Sequence, residues 1–187
     1  STKAEWMALA GDNERFRFGM ERLYDLFEQA PELGSLIDPK ALKGDMFEAN
    51  FVELQPLLEQ ALERESDDVE GSERAVAAQG MVRSAALLAG EYTLTITNVP
   101  YLGRGQQSDP LKKLADEHYK EAKADLATIF VDRMLRWLRK SGTAAVVTPQ
   151  NWTFLRTYAP LRKKFFANNR IDFLVELGAG SFSTPLY

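Results

Sequence analysis

The chain has no cysteine. That excludes disulfides and thiolate metal sites, and it fits a reducing compartment, so a cytoplasmic location is expected. Histidine occurs once, at His118, which argues against a histidine-based metal site or a Ser-His-Asp triad. We read His118 as a solvated residue on a helix surface. No apolar run approaches 18 residues, so no transmembrane helix is expected. The opening Ser1-Thr2-Lys3-Ala4 lacks the apolar core of a signal peptide. An excess of positive charge is missing as well: 23 Lys and Arg stand against 27 Asp and Glu, for a net charge of −4. A self-sufficient DNA-binding domain would usually be basic, because neutralising phosphates supplies much of the affinity. If DNA is bound, the grip comes from a local patch or from segments outside these 187 residues. What is present is the balance of a globular protein, 45% hydrophobic and 27% charged, long enough for one domain with a sizeable core.

Two halves differ in character. Residues 1–90 read as mostly helical. Phe16, Met20, Leu23 and Phe27 recur at helical spacing, with Pro31 and Gly34 ending that helix. Ser35-Leu36-Ile37 reads as a short strand, and 43–47 as a turn. Phe51, Leu54, Leu58, Ala61 and Leu62 form a second stripe. Glu65 to Glu73 is acidic and reads as an exposed connector. Val76, Gly80, Met81, Ala85 and Leu88 suggest a third helix, ending near Gly90.

The second half, 91–187, alternates strands and helices. Tyr92 to Thr97 is β-branched and aromatic, a strand. A loop from Asn98 to Gln107 leads to Asp109-Pro110, a helix start. Asp125 to Lys140 reads as an amphipathic helix, Thr143 to Thr148 as a buried strand, and 153–167 as a helix interrupted or restarted at Pro160. Ile171 to Leu177 reads as a further strand. Strands separated by crossover helices predict an α/β protein with a mostly parallel sheet, whose ligands bind at the carboxyl ends of the strands. Asn98, Pro149 and Gly178 fall at those ends.

Directly after the first of these strands stands Thr97-Asn98-Val99-Pro100-Tyr101. It resembles the Asn/Asp-Pro-Pro-Tyr/Phe hallmark of DNA amino-methyltransferases. The likeness runs from Tyr92 to Phe182, through Asp125-Leu126, Val146-Val147-Thr148-Pro149 with Asn151-Trp152, and Leu174 to Phe182. It is strongest to the large N6-adenine methyltransferases of type IIG restriction–modification and phage-exclusion (BREX-type) systems. The resemblance implies an internal piece of such an enzyme: a partial Rossmann-like methyltransferase sheet in 91–187, its catalytic half, preceded by the helical region. It implies S-adenosylmethionine as methyl donor, with the donor site incomplete here, and double-stranded DNA as substrate.

The chemistry explains the residue types. An exocyclic adenine amine is a poor nucleophile because its lone pair is delocalised into the ring. Two acceptors aimed at its hydrogens localise that lone pair, by positioning and electrostatics alone. By the resemblance these are the Asn98 side-chain oxygen and the Val99 carbonyl. Val99 replaces the family's usual proline, a departure that keeps the carbonyl. Pro100 would stiffen the turn and Tyr101 would stack on the flipped base. Phe182 matches a late family aromatic that helps hold that base. Asp45, in Gly44-Asp45-Met46-Phe47, resembles the residue that meets the donor's adenine amine. Each has a plainer alternative: a strand-to-loop turn for Asn98 to Tyr101, an exposed turn for Asp45, and packing for Phe182, Trp152 and Phe154.

Val175-Glu176-Leu177-Gly178-Ala179-Gly180-Ser181 resembles a donor-binding glycine loop, but Phe182 replaces its later glycine. Arg136, Arg139, Lys140, Arg156, Arg162, Lys163 and Lys164 read as a solvated cationic face, with DNA phosphate contact as the alternative. The isolated piece is expected to be inactive and to bind the donor weakly or not at all. Two other functions stay open: a non-enzymatic interaction module, and an amino-methyltransferase acting on RNA or protein.

Overall fold

The structure, a computed structural model, describes residues 2–8, 10–41 and 69–178. The turn around Asp45, the stripe from Phe51 to Leu62, and Phe182 therefore lie outside the described residues. The chain forms two compact units that interleave in sequence: residues 1–95 with 133–144, and residues 96–132 with 145–187.

The first unit is built on helices α1 (Lys3–Ala8), α2 (Glu14–Phe27), α3 (Ala30–Leu33) and α4 (Val69–Ala89). Helix α2 begins where the Asn13 side chain accepts the Phe16 N–H at 3.0 Å, satisfying an otherwise orphaned donor. Its expected stripe is the core: Phe16, Met20 and Leu23 are buried together with Trp6, Ala78, Val82 and Ala85. Rather than ending α2, Pro31 opens α3, which Gly34 closes with φ of 51°; a left-handed residue at a helix C-terminus is ordinarily glycine. Residues 35–37 form no strand. Gly34–Leu36 is a 3-10 turn, and Leu36 and Ile37 are buried as their apolar character demands, with no strand among the described residues alongside them. Residues 69–73 also depart from expectation, forming the start of α4 rather than a connector. Within α4 the inward residues are Ala78, Val82 and Ala85, whereas Val76 is exposed.

Arg133 organises the rest of this unit. It is 2% exposed and pairs with Asp38 at 2.9 Å. Its Nη2 donates to the Ile37 carbonyl at 2.8 Å and the Leu88 carbonyl at 3.3 Å. The guanidinium lies 4.7 Å from the Trp137 ring centre, and Trp137 Nε1 donates to the same Leu88 carbonyl at 2.8 Å. The last turn of a helix leaves carbonyls without helical partners; in α4, Leu88 is satisfied by these two side chains.

Strands β1 (Tyr92–Asn98) and β2 (Leu138–Val147) form a two-stranded sheet. The pair is parallel, since the Tyr92 N–H donates to Trp137 O at 2.7 Å and the Val99 N–H to Val147 O at 3.5 Å. Parallel neighbours require a crossover, here residues 99–137 carrying helices α5 (Asp109–His118) and α6 (Leu126–Arg136). This is the expected α/β arrangement, a partial Rossmann-like sheet preceded by a helical region. Helix α6 stops at Arg136, so Leu138, Arg139 and Lys140 belong to β2 and not to a last helical turn. In β2, Ser141 has φ of 66°, and Gly142 is pressed against the neighbouring backbone. A Cβ at Gly142 would sit 2.9 Å from Tyr92 O and 3.0 Å from Arg139 O. Gly142→Ala is expected to cost about 1–3 kcal/mol, the usual range for overpacking. A drop in the thermal midpoint checks this.

The second unit holds α5, most of α6, α7 (Asn151–Phe154) and α8 (Ala159–Asn168). Pro110 and Pro160 both lie in first turns, where proline lacks only an N–H that would be unpaired anyway. Leu111, Ala115, Tyr119, Ala122, Ala127, Ile129, Leu161 and Phe165 are buried. Trp152 packs edge-on against Phe165, ring centres 5.9 Å apart, and donates to Thr148 Oγ1 at 2.9 Å. Phe154 does not pack: it is 60% exposed. His118 is partly exposed at the end of α5, as expected. Residues 171–177 form no strand, and Phe173, Leu174 and Val175 are 67–89% exposed. Their side chains suit a sheet, but a strand persists only against a neighbour, and no described residue supplies one. Among the described residues no helix is long and apolar enough to cross a membrane.

Candidate functional site

Strand β1 delivers Asn98 to its carboxyl end, and the chain turns away at Val99 and Pro100. The alternation of the strand sets the exposure: Asn98 is open to solvent, while Val99 is 4% exposed and its N–H continues the pairing to Val147. Val99 is thus anchored by an apolar side chain and one backbone bond. Its carbonyl accepts no hydrogen bond from any described residue. Pro100, exposed, fixes its own φ, so the turn has few alternative conformations. Tyr101 is half-buried, and its hydroxyl donates to Asn98 Oδ1 at 3.3 Å. That is long for an O–H···O bond. The contact orients the amide without saturating it, since an amide oxygen has two lone pairs.

The residues just after Tyr101 are held by the start of α6. The Leu126 N–H donates to the Leu102 carbonyl at 2.9 Å, and the Arg104 N–H to the Ala124 carbonyl at 3.0 Å. Gly103 and Asp125 form an antiparallel bridge. Asp125 Oδ1 accepts the Ala127 N–H at 2.8 Å, capping the helix that Asp125-Leu126 was expected to open.

A charged cluster covers the same loop. Arg104 Nη2 contacts Asp116 at 2.6 Å, and Lys123 Nζ contacts the other Asp116 oxygen at 2.9 Å. Hydrogen bonds from Lys123 and then Arg104 hold the Asp116 carboxyl below the usual carboxylate range. A carboxyl depressed in the folded state contributes stability above its ordinary pKa, and the contribution is lost as pH falls through the folded value. The protection factor of the Arg104 amide, corrected for its intrinsic exchange rate, is therefore expected to fall in the acid range below the ordinary carboxylate pKa, an acid effect that Asp116→Asn abolishes. NMR-detected hydrogen exchange from pH 5 downward reads both outcomes.

Of the residues singled out in sequence, Asn98, Val99, Pro100 and Tyr101 form this turn, while Asp45 and Phe182 are outside the described residues. Arg104, Gln107, Asp116 and Lys123 received no role from sequence; the only local signal was the three-residue spacing of Arg104 and Gln107. Three residues of the cationic face are committed elsewhere. Arg162 donates to the Trp152 and Leu155 carbonyls. Lys164 pairs with Asp132 at 2.7 Å and Glu121 at 3.6 Å, and Arg139 donates to the Glu91 carbonyl. No group of three or more His, Cys, Asp or Glu side chains among the described residues could hold a metal ion.

The profile of the Eco57I restriction-modification methylase family matches residues 15–182. The chain is 30% identical over 176 residues, 91% of its length, to the Adenine-specific methyltransferase BrxX of Escherichia coli O9:H4 (strain HS). It is 29% identical over 104 residues, 56% of its length, to the Adenine-specific methyltransferase PglX of Lacticaseibacillus casei (strain Zhang). The matched stretches span 14% and 9% of those two relatives.

Proposed function

The chain belongs to the Eco57I restriction-modification methylase family, and from that premise we propose that Asn98, Val99, Pro100 and Tyr101 are the base-binding half of a site that methylates adenine N6 in DNA. The observation that carries the reading is the turn at the end of β1: a solvent-open Asn98 amide whose Oδ1 is only loosely engaged by Tyr101, at 3.3 Å, beside the Val99 carbonyl. The two oxygens accept the two hydrogens of a planar exocyclic amine. That draws the nitrogen lone pair out of the ring, toward an incoming methyl group. The Tyr101 ring, half-buried on a backbone stiffened by Pro100, stacks on a base turned out of the duplex.

S-adenosylmethionine is the donor in this reading; bound, it supplies an electrophilic methyl on a sulfonium. The described residues do not form its cradle. Gly103 precedes and Gly105 lies within a 3-10 turn over Arg104–Gln106, so this glycine pair runs into the 3-10 turn and not directly into an α-helix N-terminus, the arrangement that suits anionic groups. Asp45 is proposed to meet the donor's adenine and Phe182 to help hold the flipped base. Residues 91–187 serve as the catalytic half, working within a longer polypeptide that contacts double-stranded DNA, in a restriction–modification or phage-defence setting in the cytoplasm.

The test is direct. The full-length protein is incubated with S-adenosylmethionine and unmethylated duplex DNA or RNA, and the nucleosides are separated by mass spectrometry. N6-methyladenine in the DNA is the expected product. Methyl groups on RNA alone, on cytosine, or nowhere overturn the proposal.

A further inference from the structure

Gln107 is 2% exposed, and its amide ties its own loop, at Leu102 and Arg104, to the segment at Lys123. Nε2 donates to the Leu102 carbonyl and to the Lys123 carbonyl, 3.4 Å each. Oε1 accepts from Arg104 Nη1 at 3.4 Å. The same Nη1 reaches the Lys112 carbonyl at 3.3 Å, while Nη2 holds Asp116. One of these contacts reaches the peptide that follows Tyr101, at the Leu102 carbonyl. The Leu102 carbonyl is taken from one side by the first amide of α6 and from the other by Gln107.

We propose that Gln107, oriented by Arg104, is a positioning residue that fixes Tyr101 and the Asn98 turn in the geometry needed for methyl transfer. The inference rests on the reading of Asn98 to Tyr101 given above. Each 3.4 Å bond is long and individually weak, but all are made by one buried amide. Losing its donors leaves the Lys123 carbonyl without the Gln107 amide and takes from the Leu102 carbonyl one of its two donors, leaving only the Leu126 N–H. The Leu102 peptide is the first link after the stacking ring, so slack there becomes misplacement of the ring. Misplacement by about 1 Å can cost up to 10²-fold in rate.

The experiment uses the full-length protein, tritiated S-adenosylmethionine and unmethylated plasmid DNA, with Asn98→Ala as reference. Gln107→Leu removes all three contacts. Gln107→Glu keeps the shape and the Arg104 contact but cannot donate, and it decides the matter if Gln107→Leu fails to fold. Both are expected to lower kcat about tenfold per folded molecule, with the KM for S-adenosylmethionine within about twofold of wild type. If Gln107→Glu keeps its kcat while Asn98→Ala is inactive, Gln107 does not position the turn. If its activity falls only in proportion to the loss of folded protein, the role is merely structural and the inference is overturned. Full activity in Asn98→Ala overturns the underlying reading instead.

Discussion

Asn98→Ala in the full-length protein is expected to lower kcat for adenine methylation by on the order of 10²–10³, the usual cost of removing one preorganised polar group aimed at charge that develops in the transition state. Folding should survive. Asn98 is solvent-open at the end of β1, and substitutions at such positions usually stay within about 0.5 kcal/mol. The Tyr101 hydroxyl loses its partner at 3.3 Å, but half-exposed it can turn to water. The loss should therefore appear in kcat at saturating DNA and donor, not in the KM for S-adenosylmethionine. Asn98→Asp keeps an acceptor oxygen and should retain more activity than alanine. Steady-state rates of tritium transfer measure both, and an alanine variant within about threefold of wild type would remove Asn98 from the chemistry.

Arg133→Met should destabilise the first unit by about 3 kcal/mol, the lower end of the range for breaking a buried ion pair. The lower end applies for two reasons. Asp38 is 24% exposed, so its carboxylate can be rehydrated once the guanidinium is gone. Arg133 Nε also has no acceptor among the described residues, a cost that the substitution relieves. Against these stand the Ile37 carbonyl, left without its 2.8 Å donor, and the lost stacking on Trp137. Leu88 keeps the Trp137 indole N–H. Denaturant unfolding followed by tryptophan fluorescence in a variant that keeps Trp137 but carries Phe at Trp6 and Trp152 reports the shift, and an unchanged midpoint would mean the Arg133 network contributes nothing net.

What could be read from sequence was local. The stripe Phe16, Met20, Leu23, the strand from Tyr92, and the helix starts at Asp109-Pro110 and Asp125-Leu126 each announce themselves within one or two turns of chain. The turn at Asn98 was legible because four consecutive residues carry it. What failed was settled by partners distant in sequence. Leu138 continues the spacing of Leu126, Phe130 and Met134, so the helix reads on through it. The chain instead breaks at Trp137, whose N–H bonds back to Met134 O and whose carbonyl accepts the Tyr92 N–H. Joining β1 outweighs another helical turn, and no pattern within 126–140 contains that fact. Leu36-Ile37 and Ile171 to Leu177 show the converse: apolar, β-prone residues whose pairing depends on a second strand. Gln107 was missed because a glutamine in a polar loop, beside a second one at Gln106, carries no sign of the carbonyls folded around it.

The bare stretch at Phe173, Leu174 and Val175, 67–89% exposed, governs how the 187-residue chain behaves in a test tube. A β-prone, apolar stretch with no adjoining strand among the described residues is a template for a second copy of itself. Leu94 and Ile96, bare on β1, add greasy surface of the kind that drives precipitation. Crowding such molecules together is expected to favour clumping over solution, driven by these few side chains.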